Sequence, residues 1–141
     1  MGERLLANGG CLCGQVRYAI DGEPVLAYNC HCRDCQRMSG AGFLPLIALP
    51  PEAVRHTGPL QWYERRADSG RVAREAFCPR CGSRLFGDGD GVPGLLLVTA
   101  GTLDDPALFD PTADIYTRAA PYWDVMDPVI GKWPEAPPES D

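Results

Sequence analysis

Phe77-Cys78-Pro79-Arg80-Cys81-Gly82 decides how this 141-residue chain has to fold. Pro79 fixes a backbone angle of the turn and Gly82 is free to take the left-handed conformation its exit needs, so both thiols face one point. A turn of this kind supplies two ligands, whereas a closed structural metal site wants four. Cys11-Leu12-Cys13-Gly14 is the matching pair. Zinc holds thiolate sulfurs at ~2.3 Å, so any two ligands must approach within about 4 Å. The N-terminal region is therefore expected to be clipped to chain some 65 positions further on, with metal-binding free energy appearing as folding free energy. Iron in the same cage, or ordinary buried cysteines, are the alternatives to structural zinc.

The other three cysteines form a local hook, Cys30-His31-Cys32 followed by Cys35. Three ligands within six residues can close on one metal without help from distant chain. No fourth ligand is evident: His31 points away from its neighbours if the segment is extended, and His56 sits among turn residues. Three protein ligands and an open position are what catalytic zinc sites use. A redox pair in Cys32-Arg-Asp-Cys35, or a second structural site completed by an unrecognised group, are the competing readings. Three thiolates leave zinc a mild Lewis acid, and an exogenous thiol taken as fourth ligand would be deprotonated into a nucleophile. This chemistry points to thiol substrates.

Composition narrows the setting. The length suits one domain with a genuine core, and Gly 16 plus Pro 14 is more turn chemistry than a helical bundle carries. No run of roughly 18 apolar residues marks a membrane span, and Met1–Gly10 has no apolar stretch of a secretion leader. A cytoplasmic setting follows as an expectation, in which seven cysteines serve metal rather than disulfides. The net charge of −6 argues against nucleic acid. Residues 1–85 hold 11 basic and 8 acidic groups and the remainder 2 and 11. Arg65, Arg66, Arg71, Arg74, Arg80 and Arg84 form a cluster able to receive an anionic small molecule, or simply a solvated face.

The pattern is one of short strands. Val16, Tyr18 and Ile20 alternate after Gly14, Val25–Tyr28 leads into Cys30, and Gly42–Leu49 follows, with Pro45 placing that strand at an edge or bulge. Further strands are expected at Leu60–Glu64, Arg71–Phe77, Arg84–Phe86, Leu95–Ala100 and Asp114–Arg118, as an antiparallel meander. Helix is confined to Asp34–Met38, ended by Ser39-Gly40, and a turn at Asp105–Phe109. One domain over residues 1–133 and a loose acidic, proline-containing tail over 134–141 complete the reading. The unpaired edges of a short β domain leave room for a homodimer.

Gly10-Cys-Leu-Cys-Gly-Gln-Val-Arg-Tyr18, Cys30-His-Cys-Arg-Asp-Cys-Gln-Arg-Met-Ser-Gly40 and Phe77-Cys-Pro-Arg-Cys-Gly82 together resemble the glutathione-dependent formaldehyde-activating enzyme family. Thr99-Ala-Gly-Thr-Leu103, Pro111-Thr-Ala-Asp-Ile-Tyr116 and Trp123 match in the expected order, so the similarity covers nearly the whole chain. The resemblance implies a mostly β fold, a β-tent of folded-over antiparallel sheets with zinc knuckles and very little helix. It implies a structural zinc on Cys11, Cys13, Cys78 and Cys81 and a second on Cys30, Cys32 and Cys35. It also implies condensation of glutathione with formaldehyde to S-hydroxymethylglutathione, classed as a carbon–sulfur lyase reaction.

Beside the hook, Arg37 is placed to meet a glutathione carboxylate, and Ser39, Gly40 and Phe43 to shape a pocket wall. Gly101 and Trp123 are assigned to packing, and Asp114 stands where many relatives carry His. Two other classes compete with the enzyme reading. One is a non-catalytic, zinc-stabilised binding or chaperone-like module on the same fold, and the other a thiol redox sensor using Cys32 and Cys35.

Overall fold

A computed structural model describes residues 3–67 and 69–137. The strands are β1 (Leu5–Gly10), β2 (Arg17–Gly22), β3 (Leu26–Cys30), β4 (Leu44–Leu49), β5 (Val54–Thr57), β6 (Gln61–Arg66), β7 (Val72–Phe77), β8 (Arg84–Gly89), β9 (Leu96–Thr99), β10 (Ala113–Ile115) and β11 (Gly131–Lys132). Among the described residues there is one α-helix, α1 (Arg33–Ser39), between β3 and β4, and the other helical turns are 3₁₀. The expected mostly β class is what is found. Among the described residues no helix is long and apolar enough to cross a membrane.

Two sheets form, a small one in the order β1-β2-β5 and a large one in the order β11-β10-β3-β4-β9-β8-β7-β6. β4 organises them. Its sequence Leu-Pro-Leu-Ile-Ala-Leu is buried on both faces apart from half-buried Pro45, as a near-continuous apolar strand should be. Ile47 and Leu49 join Val98, Phe86 and Ala76 against Tyr18 and Ile20 of the small sheet and Val16 just before it, which is the main core. Leu44, Leu46 and Ala48 face the other way and pack with Tyr28, Cys30 and Cys35. The hook is thus on the face turned away from the small sheet.

The arrangement departs from a simple antiparallel meander. β10 runs parallel to both β3 and β11, because the chain leaves β9 and crosses back through a 3₁₀ turn at Pro106–Leu108 to reach the far side of β3. β4 is neither an edge nor bulged: it pairs with β3 and β9. Pro45 is tolerated because β9 begins to pair only at Leu46, so the missing N–H falls beyond that ladder. β1 and β5 form where no strand was expected. Asn8-Gly9-Gly10 has turn composition, yet six residues of β1 pair with β2 in register.

The large sheet curls. Asp34 of α1, which follows β3, forms an ion pair with Arg65 of β6 at 2.7 Å, although β6 is five strands from β3 in the sheet order. Glu75 of β7, buried beneath them, accepts from Arg65 and from Arg84. The C-terminal segment is tied down in part: the carbonyls of Trp133, Pro134 and Glu135 accept from the N–H groups of Thr117, Arg118 and Tyr116. Of the tail expected over 134–141, residues 138–141 lie outside the described residues.

Candidate metal centres

Cys11 and Cys13 sit in the turn between β1 and β2, Cys78 and Cys81 in the turn between β7 and β8. Their four sulfurs lie within 4.8 Å of one another. The Cys11–Cys13 and Cys13–Cys78 separations are 3.6 and 3.8 Å, which matches the edge, about 3.8 Å, of a tetrahedron with 2.3 Å metal–sulfur bonds. All seven cysteines are free thiols, so the spacing is that of ligands rather than of disulfides. The donor set fits a tetrahedral thiolate-bound metal, and the station joins the small sheet to the large one.

Each turn is built to present its sulfurs. Gly14 and Gly82 both take positive φ, 81° and 79°, and the Gly14 and Gly82 N–H groups close back on the carbonyls of Cys11 and Cys78. The Val16 N–H donates to Cys11 Sγ at 3.2 Å. Ser83, which no motif marks, accepts from the Leu12 N–H at 3.0 Å and stands 3.2 Å from Cys81 Sγ. Hydrogen bonds from the Ser83 hydroxyl and main chain hold the Cys81 thiol down to about 5, so part of the ligand charge is present before a metal binds.

The hook closes as its spacing requires. Cys30 ends β3, Cys32 is the N-cap of α1 and Cys35 is in its first turn. Their sulfurs also lie within 4.8 Å of one another, and the Cys35 N–H donates to Cys32 Sγ at 3.3 Å. Hydrogen bonds from Cys30 and Cys35 hold the Cys32 thiol well below its ordinary range. Cys30 is pushed up to about 12, chiefly by its hydrogen bond to Cys32, and Cys35 is pushed up by its hydrogen bonds to Cys30 and Cys32. Within the metal-free cluster the negative charge is thus favoured on Cys32 over Cys30 and Cys35. Gly40 ends α1 in the left-handed region, φ 71°, with its N–H on the Gln36 carbonyl.

His31 lies on the opposite face from the sulfurs, as strand alternation predicts, and all of its polar groups are used. Its N–H donates to the Ile115 carbonyl at 3.0 Å and its carbonyl accepts from Gln36 Nε2 at 2.9 Å. Nε2 meets Asp114 Oδ1 at 2.8 Å and Nδ1 meets Asp124 Oδ2. Neither ring nitrogen is left for a metal. Asp114 is further held by Asn29 Nδ2 at 3.1 Å and Lys132 Nζ at 3.0 Å. Asp124 had no sequence signal: it is 93 positions from the histidine it meets.

The other residues expected near the thiol are spread out. Arg37 is exposed on the last turn of α1 and Ser39 is exposed at its end, where its hydroxyl accepts from the Ala41 N–H at 3.1 Å. Phe43 precedes Leu44, the partner of Cys30 across β3–β4, so it faces away from the sulfurs and stands 5.3 Å from the His31 ring. On that far face Asn29, Phe43, Pro45, Gly101 and Phe109 line a groove of about 350 Å³ that contains none of the cysteines. Trp123 is 57% exposed rather than packed.

The arginine cluster divides. Arg65 and Arg84 share Glu75, Arg66 donates to the Gly70 carbonyl, and Arg74 pairs with Asp88 while lying 4.5 Å over Trp62.

Comparison with known proteins agrees with this architecture. A Rhodobacter sphaeroides protein, solved as a structural genomics target, superposes with a TM-score of 0.55 at 21% identity, over 69% of this chain and 87% of that one. This likeness is one of fold. No curated protein sequence matches the chain. The family model described as glutathione-dependent formaldehyde-activating enzyme matches residues 6–119, a span that contains both cysteine stations, β1 from its second residue, and all of β2 to β10. The chain belongs to the glutathione-dependent formaldehyde-activating enzyme family.

Proposed function

We propose that the Cys30–Cys32–Cys35 station holds zinc and that the protein works on thiol–aldehyde adducts, joining glutathione to formaldehyde as S-hydroxymethylglutathione or handling a related adduct. The observation that carries this reading is the donor count. Three sulfurs converge at the end of β3, and among the described residues no fourth ligand atom groups with them, while both nitrogens of His31 are engaged by carboxylates. Cys11, Cys13, Cys78 and Cys81 would hold a second zinc whose role is structural.

A zinc bound at the hook supplies an open position and a positive charge that favours a substrate thiolate. The rest falls to the chain. Cys30 and Cys35 release their protons on loading, and the apolar cluster of Leu44, Leu46, Leu97 and Met38 shields one side of the station from water. Adduct formation then balances without oxidant: the thiol sulfur bonds to the carbonyl carbon, the carbonyl pair moves to oxygen, and the thiol proton ends on that oxygen. Orientation is what the protein adds, since thiols attack formaldehyde readily. In this reading Arg37 meets a substrate carboxylate, Ser39 and Gly40 set the helix end beside the hook, and Phe43 backs His31. The same reading places the protein in the cytoplasm, where its thiols stay reduced, as one domain over residues 1–133.

The test is zinc stoichiometry of wild type and Cys35→Ser, combined with exchange spectroscopy of mixed formaldehyde and glutathione. Two zincs in wild type, one in the variant and faster exchange only in wild type are expected. Two zincs in both, with no acceleration by either, would refute the proposal. One observation favours a second reading, a redox pair: Cys32 caps α1 and its thiol is held down, with Cys35 one turn along. Metal counts under reducing and oxidising conditions separate the two, because a sensor would lose its hook metal reversibly on oxidation.

A further inference from the structure

An imidazole and two carboxylates are buried directly behind the hook. The side chains of His31 and Asp114 are each 1% exposed and that of Asp124 is 3% exposed. Removing such groups from water is costly, and apolar residues of the same volume commonly give an equal or greater stability. Stability alone does not account for the arrangement, but placement does. His31 is the residue between two of the three hook cysteines, and its main-chain N–H, main-chain carbonyl and both ring nitrogens are bonded to four different residues. Those partners come from β10, from α1 and from the segment after Pro121.

We propose that the Asp114–His31–Asp124 bracket is the positioning device of the three-cysteine station: it fixes the chain between Cys30 and Cys32 so that their sulfurs stand at ligand separation before a metal arrives. The inference rests on the reading of the hook as a metal station. Asp114 is anchored by its place in β10, opposite Asn29. Asp124 is brought in by a short turn, its N–H on the Pro121 carbonyl at 3.0 Å, and the same segment is tied again where Gln36 Nε2 donates to the Ala119 carbonyl at 3.0 Å. Gly42 makes the approach possible. A Cβ there would stand 2.9 Å from Asp124 Cγ, so any larger residue displaces the carboxylate from His31. The four-cysteine station has no contact with the bracket among the hydrogen bonds of the described residues, and it serves as an internal control.

The experiment is a zinc competition titration with a chromophoric chelator on the full chain, comparing wild type with Asp124→Asn, Asp114→Asn, His31→Gln and Gly42→Ala. Expected is a loss of about 10–100-fold in affinity at the hook, the range for residues that orient ligands, with the four-cysteine station unchanged. In the cobalt-loaded proteins, the bands of the hook should broaden while those of the other station stay fixed. Should His31→Gln fail to fold, Asp124→Asn and Gly42→Ala decide the matter. Unchanged hook affinity in these two, or equal weakening of both stations, overturns the bracket. A wild type that binds metal only at the four-cysteine station overturns the hook reading itself, so the two failures are distinguishable.

Discussion

Replacing one ligand in each station should cost the zinc-loaded protein different amounts of stability, and the size of the difference can be worked from chain separation. The Cys13–Cys78 contact spans 65 positions, while Cys30 and Cys35 are five apart. A cross-link restricts the unfolded chain by an entropy that grows as 1.5R ln n, so the long clip exceeds the short one by 1.5RT ln(65/5), about 2.3 kcal/mol at 25 °C. The long clip alone comes to about 4.3 kcal/mol on the same scale, a large fraction of the 5–15 kcal/mol typical of a domain. Cys13→Ser should therefore lower the urea-unfolding free energy by roughly 2 kcal/mol more than Cys35→Ser, measured with zinc in excess. A chelator should remove the gap by stripping both stations in every protein. Equal losses, or a larger loss for Cys35→Ser, would show that the four-cysteine station does not clip the two sheets together.

Further outcomes follow from the electrostatics. Cys30 and Cys35 are raised and Cys32 is lowered, so metal entry at the hook should expel two protons, one from each raised thiol. Raised thiols are protonated below their folded value, so hook affinity should strengthen as pH rises, by about 100-fold per pH unit around neutrality. Calorimetry in buffers of different ionisation enthalpy counts those protons directly, and release of none would contradict the assignment. Glu75→Leu should cost about 3–5 kcal/mol in urea unfolding, because it leaves Arg84, 11% exposed, without a carboxylate and Arg65 with Asp34 alone. Asp21→Asn, which breaks the open Arg4 pair, should leave the unfolding midpoint where it was.

Much of the site was legible because its ligands are close in sequence. Cys-x-Cys and Cys-x-x-Cys turns fix sulfur geometry locally, and the Ser39-Gly40 stop of α1 is likewise a local signal. What escaped depends on distant partners. β1 carries Asn8, Gly9 and Gly10, poor strand formers that are held extended by pairing with β2. The parallel placement of β10 beside β3 leaves no trace in hydrophobic alternation, which records the buried face of a strand and not its neighbour. Pro45 suggested an edge because its missing donor is visible in sequence, whereas the early end of β9 that excuses it is not. The Asp114–His31–Asp124 bracket spans 83 and 93 positions, and no motif links either aspartate to a histidine so far upstream.

The clip between the sheets also orders events at the ribosome. Once Cys13 has been synthesised, Cys78 is still 65 residues away, which at 5–20 residues per second leaves the first two thiols waiting roughly 3–13 s for the rest of their cage. The hook has no such delay, since its three sulfurs emerge within six residues of each other. A nascent chain short of zinc would thus meet oxidants first with the Cys11–Cys13 pair, making the amino-terminal hairpin the vulnerable part of biogenesis.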